Sequence, residues 1–164
     1  MKKDQTKKLC QGACIAAMYV ALTWLSALFG LDKGAIQVRI SEALCILPIF
    51  LPAAVPGLAI GCLLANLLNG CVALDIVCGS LATLLGALAT RRLRGRPWLA
   101  MVPPVLANAL IVPWVLRYGY GAPDAIWLMV LTVGAGEIVS VLGIGGALYI
   151  ALRRQRELLA QWAA

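Results

Sequence analysis

The side chains that could take part in chemistry are a few polar groups at wide spacing in a strongly apolar chain. The densest group is Gln37, Arg39, Ser41 and Glu42, after which the chain runs without a charge until Asp75. A carboxylate and a guanidinium beside a long apolar run are costly unless they are paired, hydrated or bound to a ligand. Arg39 and Glu42 would pair if they anchored a helix end. The neighbouring Gln37 favours the other interpretation, a ligand-binding site.

Further polar residues lie deeper in the apolar sequence. Glu137 is near the middle of a long apolar run that contains no lysine or arginine. Its side chain must therefore be neutral, paired with a group on another helix, or turned to a polar cavity. We favour the polar cavity. We predict one outward-facing pocket, because carboxylates and amides suit a small ligand with several hydrogen-bond donors, and aromatic rings can stack on a flat ring system. The predicted substrate-binding residues are Gln37, Arg39, Glu42, Asn66, Asp75, Asn108, Tyr118 and Glu137.

The composition indicates which kind of structure must position these groups. Of the 164 residues 62% are hydrophobic and 13% are charged, and the mean hydropathy is +0.91, whereas soluble domains contain roughly 45–50% apolar residues. The chain is therefore predicted to be an integral membrane protein with short loops, which leave no room for a soluble catalytic domain. The formal charge of +7 does not indicate nucleic acid binding, because the basic residues form short clusters beside apolar segments.

The basic clusters also predict the topology. They lie at the N-terminus, at residues 91–96 and in the C-terminal tail, and the positive-inside rule places all three in the cytoplasm. The number of crossings before residue 91 must then be even, and at ~20 residues per crossing the length allows four. We predict an all-α protein of the cell membrane with a basic tail at 1–8, a single domain at 9–152, a second tail at 153–164 and six transmembrane helices near 9–31, 40–51, 54–68, 74–89, 98–116 and 123–152.

Several classes of enzyme lack the residues that they need. Six cysteines occur without a CxxC spacing and the chain has no histidine, so neither a metal site nor a cofactor is predicted; we interpret the cysteines as packing residues. The acidic residues are dispersed, and no serine occupies a GxSxG turn. An intramembrane enzyme is the rival class, and a pore formed by several copies of the chain is a further alternative.

A stripe of small residues marks one face of the first helix. Ala13, Ala17 and Ala21 follow one another at four-residue spacing, which places them on the same side of a helix. Such faces allow another helix to approach closely in a bilayer. The partner is either a separate subunit or a helix of the same chain.

The segments AIQVRISEALCILP, GLAIGCLLAN, DIVCGSLATLL, PPVLANALIV and GEIVSVLG resemble the QueT family over most of the chain. This family is identified with the substrate-binding S components of energy-coupling-factor (ECF) transporters, a type of ABC importer. The resemblance implies six helices, capture of a queuosine precursor from outside and docking on a T subunit and two ATPases. The chain has no GxxxxGK[ST] loop, so it is predicted to be a transport subunit and not an enzyme, with ATP hydrolysis supplied by those partners.

The resemblance also suggests roles for individual residues. Queuosine precursors are 7-deazaguanines such as preQ0, which carries a nitrile, preQ1, which carries an aminomethyl group, and queuine. Glu137 would accept the donors of the guanine-like edge, with Gln37 or Asn108 donating to its carbonyl, and Glu42 or Asp75 would bind an ammonium group. The alanine stripe would face the T subunit, and residues 32–41 would form an outer lid. Another flat vitamin, such as riboflavin, is the alternative ligand.

Overall fold

The computed structural model describes residues 2–31 and 36–155, and all regular elements in these ranges are helical. They are α1 (Lys2–Leu28), a 3₁₀ helix (Ile40–Ile49), α2 (Ala54–Leu68), α3 (Ala73–Arg92), α4 (Pro97–Ala100), α5 (Val102–Gly119), α6 (Ile126–Glu137), a π-helical segment (Ile138–Ile144) and α7 (Gly145–Arg154). The all-α prediction is confirmed. Because α1 begins at Lys2, the first helix includes most of the predicted basic tail.

Four stretches of helix are long and apolar enough to cross a bilayer. They are Asp4–Leu28, Ala73–Arg92, Pro97–Gly119 and Ile126–Arg154. Two shorter apolar helices, Ile40–Ile49 and Ala54–Leu68, lie between the first and second of these. Large apolar side chains such as Leu85, Leu110 and Trp127 are exposed, which is the arrangement expected where lipid replaces water around the bundle. The count of six crossings and the cytoplasmic location of both ends stay predictions.

The second predicted span has an unexpected form. We expected a short, tilted helix at 40–51, and the chain instead forms a 3₁₀ helix in which residues 41–48 are all buried. A 3₁₀ helix rises about 2 Å per residue, so ten residues reach about 20 Å, whereas an α-helix of that length reaches about 15 Å. The stretched helix therefore compensates for the small number of residues between Arg39 and Pro52.

Small residues bring α1 and α2 into close contact. A Cβ atom added to Gly57 would lie 2.7 Å from the carbonyl oxygen of Gly12, and one added to Gly61 would lie 2.8 Å from the Cβ of Tyr19. Neither position leaves room for a methyl group, so these glycines set the distance between the two helices. This packing leaves Tyr19 1% exposed and turns its side chain away from lipid.

The last predicted span is interrupted beside its acidic residue. We expected one long helix at 123–152, and the structure has α6, which ends at Glu137, then the π-helical segment, then α7. π-helical turns inside α-helices are rare and frequently occur at functional sites. The interruption directly follows the residue that we selected as the first candidate for ligand binding.

Candidate functional site

A narrow polar cavity lies between the N-terminal end of the 3₁₀ helix and helices α2, α3, α5 and α6. Its lining residues are Gln37, Arg39, Glu42, Cys62, Asp75, Gly79, Thr83, Asn108, Val112, Val133 and Glu137. The structure thus brings together six of the eight predicted substrate-binding residues, although they are separated by up to a hundred positions in the chain. The centre of a water-sized sphere can move through about 30 Å³ of this space, which is room for a water molecule or two. A bicyclic ligand would require the walls to move apart.

Glu42 is the most constrained of the three carboxylates. It lies in the first turn of the 3₁₀ helix and is 2% exposed. One carboxylate oxygen accepts a hydrogen bond from the Tyr19 hydroxyl, and the other accepts one from the Cys45 thiol at 3.1 Å. Because both donors are buried side chains, they fix the orientation of the Glu42 carboxylate. Both oxygens of Glu42 thus accept hydrogen bonds from groups other than Arg39, the partner in the alternative interpretation.

Asp75 lies in the first turn of α3, where the unpaired backbone N–H groups of a helix favour a negative charge. Its carboxylate accepts a hydrogen bond from the Tyr120 hydroxyl at 2.8 Å. Partial burial raises the pKa of the Tyr120 phenol, and its hydrogen bond with Asp75 acts in the same direction, so Tyr120 is protonated and donates at neutral pH. Asn66 lies behind the cavity, where its amide donates to the backbone carbonyl of Asp75 at 3.3 Å.

Glu137 has unused hydrogen-bonding capacity at one of its oxygens. It is 8% exposed, and its Oε2 atom is buried without a hydrogen-bond partner among the described residues. The Asn108 side chain lines the same cavity. A buried, unpaired carboxyl oxygen is costly, and its position in the wall of a polar cavity indicates a place where a ligand could donate a hydrogen bond.

Tyr118 lies outside the cavity. Its side chain is 72% exposed and stacks on Trp114, with the two ring centroids 6.1 Å apart and the rings 5° from parallel. The two residues are four positions apart on α5, so both lie on its outer face. Tyr120, just beyond the end of α5, is the tyrosine that reaches Asp75.

The sequence analysis missed several residues of the site. Thr83, Cys62, Gly79, Val112 and Val133 line the cavity, and Tyr19 and Tyr120 contact its carboxylates. For two of them the sequence contains a usable signal. Gly79 and Thr83 follow Asp75 at four-residue intervals, which is the spacing of one helix face. Tyr19 carries no such signal, because it lies in an ordinary apolar helix.

The alanine stripe lies on the surface of the bundle. Ala13, Ala17 and Ala21 are all exposed along α1, whereas Ala16 is buried against α2. Internal packing within the described part of the chain therefore does not account for the stripe. The predicted lid is only partly described, because its residues 32–35 lie outside the described ranges.

The cavity has an excess of negative groups. Three carboxylates, of Glu42, Asp75 and Glu137, line it together with a single guanidinium, that of Arg39. In the described ranges no group of three histidine, cysteine or acidic residues is arranged to hold a metal ion. The arrangement can accept hydrogen bonds from a small ligand and can balance a positive charge.

A bundle with four helices that are long and apolar enough to cross a membrane, and with a small polar cavity between its helices, is the architecture of a multi-pass membrane protein. The comparisons identify the family. A family model described as "QueT transporter" matches residues 9–154, and the chain belongs to this family of multi-pass proteins of the cell membrane. A protein of Lactococcus lactis subsp. cremoris (strain MG1363), called "Queuosine precursor transporter QueT", is 36% identical over 84 residues. That alignment spans 51% of this chain and 49% of the relative. No solved structure matches the chain.

Proposed function

We propose that the chain is the substrate-binding S component of an ECF-type importer and that it captures a 7-deazaguanine precursor of queuosine. The observation that carries this proposal is the convergence of carboxylate and amide groups on one cavity, in which Glu137 has an unpartnered buried oxygen. The family match and the printed name of the Lactococcus relative support the choice of ligand. A transport subunit needs a site of this kind, which offers hydrogen bonds and charge to a small solute.

The chemistry of the deazaguanine edge fits the groups around Glu137. This edge offers a ring N–H and an exocyclic amino group as adjacent donors, beside a carbonyl acceptor. A carboxylate can accept both donors at once, and the Asn108 amide, which lines the same cavity, can donate to the carbonyl. Gln37 is a second amide in the same cavity. Glu137 and Asn108 would therefore recognise the guanine-like edge, which all queuosine precursors share.

The charge of the cavity favours one precursor among them. With three carboxyl groups and one guanidinium in its lining, the cavity can carry more negative than positive charge in a place shielded from water, and a neutral ligand does not offset that excess. The ammonium group of preQ1 reduces that excess, and the nitrile of preQ0 does not. Burying unbalanced charge is expensive, so preQ1 is the ligand that we expect to bind more tightly. Asp75 is the better candidate to bind the ammonium group, because the hydrogen bond from Tyr120 occupies one carboxylate oxygen and leaves the other available.

The exposed alanine stripe is the proposed docking surface for the T subunit. Ala13, Ala17 and Ala21 present methyl groups to the outside of α1, and a smooth face of this kind allows a second helix to approach closely. In this arrangement six helices cross the membrane, both ends lie in the cytoplasm, and the cavity opens toward the outside. Two partner ATPases supply the energy.

Titration of the purified protein and of its Glu137→Gln variant with preQ1 tests the proposal. The substitution keeps the shape of the side chain and replaces one acceptor oxygen by a donor, so a charge-assisted bond is lost and affinity should fall at least about tenfold. Thr132→Val is the matched control on the same helix, since among the described residues Thr132 bonds only to the carbonyl of Met129 in its own turn. Its affinity should equal that of the unmodified protein.

The results separate the alternatives. Unchanged affinity in Glu137→Gln would remove this residue from the site. If the unmodified protein bound none of preQ0, preQ1 and queuine but bound riboflavin, the proposed ligand class would be wrong and the S-component role would stand.

A further inference from the structure

Tyr19 connects the two functional surfaces proposed for this protein. It is one of the largest fully buried side chains, and its hydroxyl donates a hydrogen bond to Glu42 in the cavity wall. It lies on α1 two residues after Ala17, and consecutive residues are about 100° apart around a helix, so the two side chains point in nearly opposite directions. One face of α1 therefore carries the exposed alanine stripe, and the other holds a carboxylate of the cavity.

Two neighbours of Tyr19 hold the same segment. Thr23 donates to the Ser41 hydroxyl at 2.9 Å, and the Ser26 hydroxyl accepts from the backbone N–H of Ile40 at 2.9 Å. Tyr19, Thr23 and Ser26 follow one another at helical spacing, so they form a row of polar groups along the inner face of α1. This row contacts three consecutive residues at the start of the 3₁₀ helix. The position of α1 and the position of Glu42 are thus mechanically linked.

The tyrosine hydroxyl has a specific task in this row. A buried phenol hydroxyl needs a hydrogen-bond partner, and a charged acceptor gives it the strongest one. The side chain is closely surrounded, since it is 1% exposed and the backbone of Gly61 packs against its Cβ. Glu42 receives its only other described hydrogen bond from Cys45, a residue of its own helix. Tyr19 is therefore the group outside the 3₁₀ helix that sets the direction of the carboxylate.

We propose that Tyr19 is a positioning residue, which holds Glu42 toward the ligand cavity and links ligand affinity to the position of α1. The inference rests on the proposed function, because it assumes that the cavity binds a ligand. The bond between Tyr19 and Glu42 also gives a physical route by which docking of a partner on the alanine stripe would change the affinity of the cavity for its ligand. A subunit that displaced α1 would strain the bond between Tyr19 and Glu42 and weaken ligand binding. By thermodynamic reciprocity, bound ligand would oppose that displacement to the same extent.

A double-mutant cycle with preQ1 as the probe tests the positioning role. The full-length protein, Tyr19→Phe, Glu42→Gln and the double variant are purified in detergent, and their dissociation constants are measured. Loss of a hydrogen bond to a charged group should weaken binding about tenfold in Tyr19→Phe. The same substitution should have a clearly smaller effect in the Glu42→Gln background, because the Tyr19 hydroxyl there donates only to a neutral amide oxygen and its charged acceptor is already lost. A merely structural effect of Tyr19 would weaken both backgrounds equally.

Tyr149→Phe is the matched control. Tyr149 is also buried, 5% exposed, but it packs against Phe50 and Trp98 away from the cavity. Its loss of a hydroxyl should leave affinity unchanged. Equal losses in both Glu42 backgrounds, or an unchanged dissociation constant in Tyr19→Phe, would overturn the inference.

A second measurement does not depend on the ligand. The infrared band of the Glu42 carboxyl group is identified by its absence in Glu42→Gln, and it should shift in Tyr19→Phe, because the hydrogen bond to that group is lost. An unshifted band would reject the contact even if no probe bound. Absence of preQ1 binding by the unmodified protein, together with a shifted band, would instead count against the proposed function alone.

Discussion

Replacing Gly136 by alanine probes how the wall of the cavity is built. A Cβ atom at this position would lie 2.0 Å from the carbonyl oxygen of Gln37 and 2.9 Å from its carbonyl carbon. Ordinary contacts are near 3.5 Å, so the two backbones would have to separate by more than about 1 Å. The obstacle is main chain and not a flexible side chain. Gln37 lines the cavity, so this separation would occur at the site itself.

Two outcomes follow from the way in which the clash is relieved. If the Gln37 segment yields, its side chain leaves the cavity and a hydrogen bond to the ligand is lost, which costs about 1 kcal/mol or about fivefold in affinity. If it does not yield, the crowding destabilises the fold by about 1–3 kcal/mol. Calorimetric titration with preQ1 measures the first effect, and thermal unfolding without ligand measures the second.

Gly143→Ala supplies the control for Gly136→Ala. It adds the same methyl group a few residues along the chain, where the nearest heavy atom is the Ile138 carbonyl oxygen at 4.0 Å. Affinity and thermal stability should both stay close to those of the unmodified protein. If Gly136→Ala matched Gly143→Ala in both measurements, the close contact between α6 and the Gln37 backbone would be refuted.

Three further predictions concern docking, ligand charge and the support of Asp75. Ala17→Trp and Ala21→Trp should bind preQ1 normally but fail to co-purify with the T subunit and ATPases. The control Leu81→Trp, at an exposed position on α3, should assemble with these partners. Normal assembly of both alanine variants would show that the docking surface lies elsewhere. Competition binding should rank preQ1 above preQ0 by about tenfold or more, since the amine adds a charge-assisted bond, and equal affinities would contradict the charge argument. Tyr120→Phe should weaken preQ1 binding several-fold by freeing the Asp75 carboxylate, and an unchanged dissociation constant would show that this hydrogen bond does not matter.

Much of the architecture could be predicted from the sequence because a bilayer restricts the available structures so strongly. The predicted third span, 54–68, has the bounds of α2, since prolines before it and Asn69 with Gly70 after it limit the helix. Polar residues in an apolar chain are confined to a few positions in the fold, and six of the residues that we grouped into one pocket line the same cavity. Their role in ligand binding stays a prediction. The same reasoning included Tyr118, because a tyrosine at the membrane boundary is stable either in a pocket or facing outward.

The remaining features depend on contacts between distant segments. The 3₁₀ form of residues 40–49 results from burial on all sides, and local propensity does not favour so long a 3₁₀ helix. The role of Tyr19 depends on which face of α1 meets the 3₁₀ helix, and that is decided by the glycines of α2. No periodicity within α1 distinguishes Tyr19 from an ordinary packing residue.

The burial of the 3₁₀ helix also has a consequence for how the protein is made. This segment contacts α1, α2, α3, the π-helical segment and α7, so the elements that enclose it come from both ends of the chain. Ten residues are too few to partition into a bilayer as an independent helix, and a 3₁₀ helix with polar residues at its start has little stability alone. During synthesis the segment can be fully enclosed only after the last helices have been inserted. The cavity, one wall of which belongs to this segment, is therefore among the last parts of the protein to form, and a chain truncated before α7 should insert into the membrane without acquiring the proposed ability to bind.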